Sequence, residues 1–218
     1  MSIKGCFGKL PAHGDFVWQG LPSEFVTPWD KWQQRLMAAL QQQAPDRWLE
    51  SYLQNPFWRF VIRDAALGPY VWCGVLMPSV DAVGRYFPFT LADALPADAP
   101  LTSVVNALPG WFDMVEDLML SALTQSVPVN TLIQGFDRVS MPFGFRGAEQ
   151  PAVFDNRMVC GEFHGENPRG WMESISAGLL TRVYANPAIW MTHRPDDQQT
   201  RFIITDGFSS FSQAIALD

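Results

Sequence analysis

Three side chains near the N-terminus have the types that a nucleophilic site needs. Cys6, His13 and Asp15 offer a thiol, a base and an orienting carboxylate in one short stretch. Spacing does not establish a triad, which is recognised by geometry, and the same residues carry a plainer reading. Cys6 stands beside Phe7 at the end of a strand-like start, where a thiol serves as a small buried hydrophobe. His13-Gly14-Asp15 has the composition of a turn whose carboxylate bonds nearby amides. Ser79, Asp81 and Arg85 form a second group. Ser79 is placed to cap a single helical turn, Asp81 and Arg85 stand at i,i+4 as an ion pair, and Gly84 can end the turn at positive φ. A nucleophilic serine wants a glycine-flanked elbow, and Pro78-Ser79-Val80 is not one. Catalytic residues are therefore assigned to neither group. Lys9, His13, Asp15, Ser79, Asp81 and Arg85 are expected instead to shape a partner-binding surface.

Other chemistries find less support. Gly5-Cys6-Phe7-Gly8-Lys9 lacks the spacing of a phosphate loop. Cys6, Cys73 and Cys160 are odd in number and far apart, which fits reduced thiols in a cytosol and no disulfide framework. No CxxC or HxxxH spacing occurs, and His164 and His193 are isolated, so neither a metal nor a cofactor is expected. The chain of 218 residues is 48% hydrophobic and 17% charged, with a formal net charge of −7 and no basic run. That composition supports a sizeable core and argues against disorder, nucleic acid and anionic membranes. Met1-Ser2-Ile3-Lys4-Gly5 leads into a turn with no apolar region of a secretory signal, and no stretch is long enough to span a bilayer. The expectation is a cytoplasmic protein without membrane insertion.

The elements that position these residues read as follows. Thr27, Pro28 and Asp30 look like the N-cap, first and third positions of a helix carrying Trp29, Trp32, Leu36 and Leu40 on one face. A short helix follows over Asp46 to Leu53. Trp58, Phe60 and Ile62 alternate with Arg59, Val61 and Arg63 as a strand. Tyr70 to Met77 is an unbroken apolar run, the mark of a central strand covered on both faces. Tyr86 to Leu91 reads as a strand that Pro88 assigns to an edge or a bulge. Pro96 to Pro100 is a linker, and a helix runs from about Trp111 to Gln125. Val127 to Gly170 reads as irregular with short strands. A helix over Trp171 to Tyr184, strands over Ala188 to Thr192 and Arg201 to Thr205, and a helix over Phe208 to Leu217 complete the chain. Trp18, Trp29, Trp32, Trp48, Phe57 and Trp58 are expected in the core, with an exposed aromatic patch for a partner as the alternative. Hairpin-like neighbours in the first half and helix-separated strands in the second predict a mixed sheet. The fold class is then α/β: a single domain over 1–218, built as a three-layer α/β/α sandwich.

Taken in order, the motifs resemble one family. They are Gly5-x-Phe7-Gly8-Lys9-Leu10-Pro11-x-x-Gly14-Asp15-Phe16, Trp29-x-x-Trp32, Pro56-x-Trp58-Arg59-Phe60 and Gly74-Val75-Leu76-x-Pro78-Ser79-x-Asp81-x-x-Gly84-Arg85-x-Phe87-Pro88-x-Thr90. The chain is similar in these to the TagF or ImpM family associated with type VI secretion. The resemblance implies a non-enzymatic cytoplasmic regulator that represses the apparatus after translation by binding a forkhead-associated scaffold protein. The family supplies no catalytic residues to carry over. The alternatives are a small hydrolase using Cys6 or Ser79, and a structural subunit of the apparatus. The two turn segments, Lys9 to Asp15 and Ser79 to Arg85, both follow strand-like runs and are expected to meet at one end of a sheet.

Overall fold

In a computed structural model the chain is described over residues 3–142, 153–155, 158–160, 168–194 and 199–212. Its spine is a seven-stranded sheet with the order β2-β1-β5-β4-β3-β8-β9. The strands are β1 (Lys4–Gly8), β2 (Val17–Gln19), β3 (Trp58–Arg63), β4 (Val71–Met77), β5 (Phe89–Leu95), β8 (Pro187–Arg194) and β9 (Gln199–Asp206). A separate hairpin pairs β6 (Val153–Asp155) with β7 (Met158–Cys160). Every pairing in the large sheet is antiparallel, so the expected mixed sheet is corrected. The long connection after β5 returns the chain to run β8 antiparallel to β3, and β8 and β9 then pair antiparallel with each other.

β4 lies fourth of the seven strands and is buried along its whole length, as its apolar run predicts. Its alternation divides the core. Val71, Cys73, Val75 and Met77 join one apolar cluster, and Trp72 and Leu76 join the other. Val61 of β3 belongs to the first cluster, and Trp58, Phe60 and Ile62 to the second. Gly74 stands where β5 and the Phe60 ring close over β4. A Cβ there would run into the Leu91 carbonyl oxygen, with the Phe60 ring tip 2.5 Å away.

The second cluster is roofed by α1 (Ser23–Gln43), with α2 (Trp48–Leu53) beside it. α1 buries Phe25, Val26, Trp29, Trp32, Leu36 and Met37 on one stripe. It begins a turn before the expected cap at Thr27, and Pro28 lies inside it. Burial of Phe25 and Val26 outweighs the one backbone bond that Pro28 cannot make in the early turns. The first cluster is covered by α3 (Leu101–Ala107), α4 (Pro109–Thr124) and α5 (Val129–Arg138). α6 (Pro168–Val183) contacts α3. α5 falls where the sequence reads as irregular. Val129, Leu132, Ile133 and Phe136 give it a helical stripe, and Gly135 lets it approach Leu118 of α4 closely.

Three further expectations change. β5 is an interior strand between β1 and β4, and Pro88 immediately precedes it, where no ladder amide is lost. Trp18 lies on β2 and is 53% exposed, so it is not a core residue. The closing helix begins with a single 3-10 turn at Phe208–Ser210, and residues 213–218 lie outside the described ones.

Polar side chains tie the sheet to its helices. Arg59 projects from β3 and forks onto Glu116 of α4 at 2.6 and 2.7 Å, with Asp113 at 2.8 Å. Lys4 of β1 donates to the carbonyls of Phe136, Asp137 and Val139 at the C-terminal end of α5, where a cation offsets the helix dipole. Lys4→Ala is expected to cost about 1 kcal/mol, with hydrogen exchange of α5 rising more than that of α4. Gly74→Val is expected to destabilise by roughly 3 kcal/mol through overpacking, read as a lower midpoint in urea unfolding.

Candidate functional site

β1 ends at Gly8, whose φ of 133° and contact with the Pro88 carbonyl leave no room for a side chain. The chain then turns through Lys9 to Asp15. β4 ends at Met77, and the following segment closes on itself through a bridge between Val80 and Tyr86. Because β5 lies between β1 and β4, both turns emerge at one end of the sheet, and they meet as expected. The Ala82 amide donates to the His13 carbonyl at 2.8 Å. Arg85 Nη2 donates to the Gly14 carbonyl.

Asp81 is the centre of the arrangement. Its Oδ2 accepts from Lys9 Nζ at 2.8 Å and from Arg85 Nε at 2.7 Å. Its Oδ1 accepts from the amides of Val83 and Arg85 at 3.0 and 2.9 Å. The Asp81–Arg85 pair expected from the i,i+4 spacing is present, but in a closed turn and not in a helix. Asp81, and not Ser79, caps that turn. The Ser79 hydroxyl is buried without a hydrogen-bond partner among the described residues. The Ser79 backbone is gripped instead by the Tyr52 hydroxyl, which donates to its carbonyl at 2.8 Å and accepts from its amide at 2.7 Å.

The sequence treats Lys9 and Asp81 as exposed. The structure corrects this, since their side chains are 6% and 0% exposed, and Ser79 is buried as well. The two turns shelter them by folding against each other, and Phe16 covers Lys9 with its ring centroid 5.0 Å from Nζ. What the site shows to solvent is the Arg85 guanidinium, with its side chain 55% exposed, together with Asp15, Phe16, Trp18 and Val83. Phe16 and Val83 are additions to the expected set, and Trp18 fits the alternative of an exposed aromatic patch. The signal for them is local: Phe16 and Trp18 alternate in phase at a short strand, and Val83 occupies the tip of a polar turn.

Burial alone would raise the Asp81 carboxyl. The hydrogen bonds from Lys9, Arg85 and Val83 outweigh it and hold the group below the usual carboxylate range. Burial pushes the Cys6 thiol up to about 12, with the Gln19 backbone opposing only in part, so the thiolate is disfavoured. His13 Nε2 accepts from the Val129 amide at 2.9 Å, which docks the start of α5 on the first turn. The Asp15 carboxylate accepts from the Phe16 amide. None of Cys6, His13 and Asp15 hydrogen-bonds another among the described residues. An apolar groove beside the site is lined by Leu36, Leu40, Tyr52, Trp58, Pro78 and Pro88, among others. Among the described residues no group of three or more His, Cys, Asp or Glu is arranged to hold a metal, and no helix is long and apolar enough to cross a membrane.

The family model of the TagF N-terminal domain, described as type VI secretion system-associated, matches residues 5–139, a span that contains both turns. The chain belongs to the TagF family. Its fold is similar to that of PA0076 from Pseudomonas aeruginosa PAO1, with a TM-score of 0.77 and 33% sequence identity. That match covers 94% of this chain and 89% of the other. No curated protein matches the chain. The TagF match stops at the end of α5, but the structural one extends over the C-terminal strands that complete the sheet.

The depressed Asp81 carboxyl fixes the sign of an acid effect. The unfolded chain binds the proton first, at about pH 3.9. The Asp81 contribution to stability is therefore full above that value and is lost as pH falls towards the lower folded pKa. Thermal melts between pH 2 and 6 should show a weaker acid decline in Asp81→Asn than in the parent protein.

Proposed function

We propose that this TagF-family chain is a cytoplasmic accessory of a bacterial type VI secretion system. It represses the apparatus after translation by binding a forkhead-associated scaffold protein, and it carries out no catalysis. The observation that carries this reading is the family match across both locked turns, on a fold similar to that of PA0076. The site supports it in kind. Its polar atoms are spent on fixing two turns, and turns held rigidly on a sheet commonly carry recognition. The exposed members of the original set, Asp15 and Arg85, lie on the partner-facing side, while Lys9, His13, Ser79 and Asp81 hold them in place. We also read residues 1–218 as one unit with helical layers on both faces of the sheet, since apolar clusters occupy both faces and β8 and β9 extend the same sheet.

Deletion in a strain with a competent apparatus is expected to raise secretion. Excess protein should silence secretion without changing transcript levels of the apparatus genes. Cys6→Ser and Ser79→Ala should still repress wherever they fold. Unchanged secretion on deletion would overturn the regulatory reading.

A further inference from the structure

The exposed side chains at the sheet edge form one patch. Trp18 on β2 stands directly opposite Phe7 on β1. Phe16 stacks on Phe7 with centroids 5.8 Å apart and meets Phe87 edge-on at 4.9 Å. Phe7, Phe16 and Phe87 thus form one ring cluster, with Trp18 across from Phe7 at the edge and the turn that carries Val83 and Arg85 beside it. Phe16, Trp18 and Val83 are 45%, 53% and 68% exposed. Trp18 is fixed by its indole N–H, which donates to the Leu21 carbonyl at 2.7 Å. β2 is the terminal strand of the sheet, and among the described residues no strand pairs with its outer edge.

The charge of the patch is equally defined. Lys9 and Asp81 cancel in the interior, and Lys4 is engaged at the end of α5. Arg85 spends Nε on Asp81 and Nη2 on Gly14, and its Nη1 has no partner among the described residues. A guanidinium is thereby held in fixed orientation at the surface of a chain with a net charge of −7. Asp15 is the exposed anion nearby, and it already accepts from the Phe16 amide.

We propose that Phe16, Trp18 and Val83 at the β2 edge, with Arg85, form a docking site for a short extended segment of a partner protein that carries a carboxylate beside apolar side chains. This rests on the reading of the chain as a binding accessory and adds where and what it binds. Charge complementarity selects the carboxylate, which a planar guanidinium takes up with directional hydrogen bonds. The outer edge of β2, which no strand pairs among the described residues, can accept an extended strand. Size selects a segment over a second copy. A fully covered Phe or Trp buries roughly 150–250 Å², so these half-exposed rings with Val83 offer about 300 Å². A stable protein pair needs about 800 Å² on each side.

The test uses the full chain as bait for a displayed library of random peptides, and separately titrates it with the purified forkhead-associated scaffold protein. Selected peptides should combine Asp or Glu with aromatic or aliphatic residues. Their affinity should fall at least tenfold in Arg85→Gln and in Val83→Asp, two exposed positions whose variants are checked for folding by thermal melting. Affinity of the parent protein should weaken with salt, and that of Arg85→Gln should not. Scaffold binding that survives Arg85→Gln, Val83→Asp and Trp18→Ala, with peptides equally indifferent, overturns the site while leaving the accessory role standing. No scaffold binding, with peptides that obey the patch, overturns the named partner and keeps the site. Failure to select any peptide overturns the site. So does a parent dimer that Trp18→Ala converts to monomer, since a second copy would then occupy the edge.

Discussion

A carboxylate can leave water only if other groups replace the hydrogen bonds it gives up, and that requirement organises the end of the sheet around Asp81. Two charged side chains and two backbone amides supply the replacement. Lys9 comes from the turn after β1, and the other donors come from the turn after β4. The turn after β4 supplies three of the four donors and the turn after β1 the fourth, so the carboxylate ties the two together. A buried ion pair of this kind adds little net stability against an apolar substitute of the same shape. What it does here is select one geometry. Arg85 is positioned as a by-product, with one face of its guanidinium committed inward and the remainder at the surface.

The same division of labour recurs along the sheet. Apolar alternation on β3 and β4 decides which face each helix covers. Polar side chains then set where along the face the helix rests. Arg59 fixes α4 by a two-pronged contact with Glu116, and Lys4 fixes the end of α5. His13 holds the other end of α5 through the Val129 amide. α5 is thus pinned at one end by β1 and at the other by the first turn, which links the aromatic edge to the helical layer beneath it.

Much of this was legible from residue types. The apolar run of β4 reported burial on both faces, and the alternation of β3 placed Trp58, Phe60 and Ile62 together on one face. The Asp81–Arg85 contact followed from spacing. What escaped was set by tertiary context. Pro28 looks like a helix start, yet the burial of Phe25 and Val26 moved the start upstream. α5 was hidden by the Gly and polar residues around it, and Gly135 is there to admit Leu118 of α4. Lys9 and Asp81 carry charges that local sequence assigns to the surface. Only the meeting of two segments 72 residues apart buries them. Strand direction escapes the sequence for a similar reason, since a long connection does not disclose on which side of β3 it returns, or in which sense.

The pairing of β3 with β8 also bears on how the chain is made. Trp190 stacks on Phe211 at 3.9 Å and lies 6.1 Å from Trp29, so the aromatic layer beneath α1 draws on both ends of the polypeptide. Contacts this distant in sequence form late, because the loop they close must first be ordered. During synthesis the N-terminal strands and α1 leave the ribosome with β3 still an open edge and Trp32 lacking the ring of Phe208 against it. The stretch matched by the family model, residues 5–139, therefore borrows the final wall of its core from beyond its own boundary. Proteolysis of ribosome-stalled chains of increasing length would read that order directly, with protection of the Trp29 region appearing only after residue 211 has emerged.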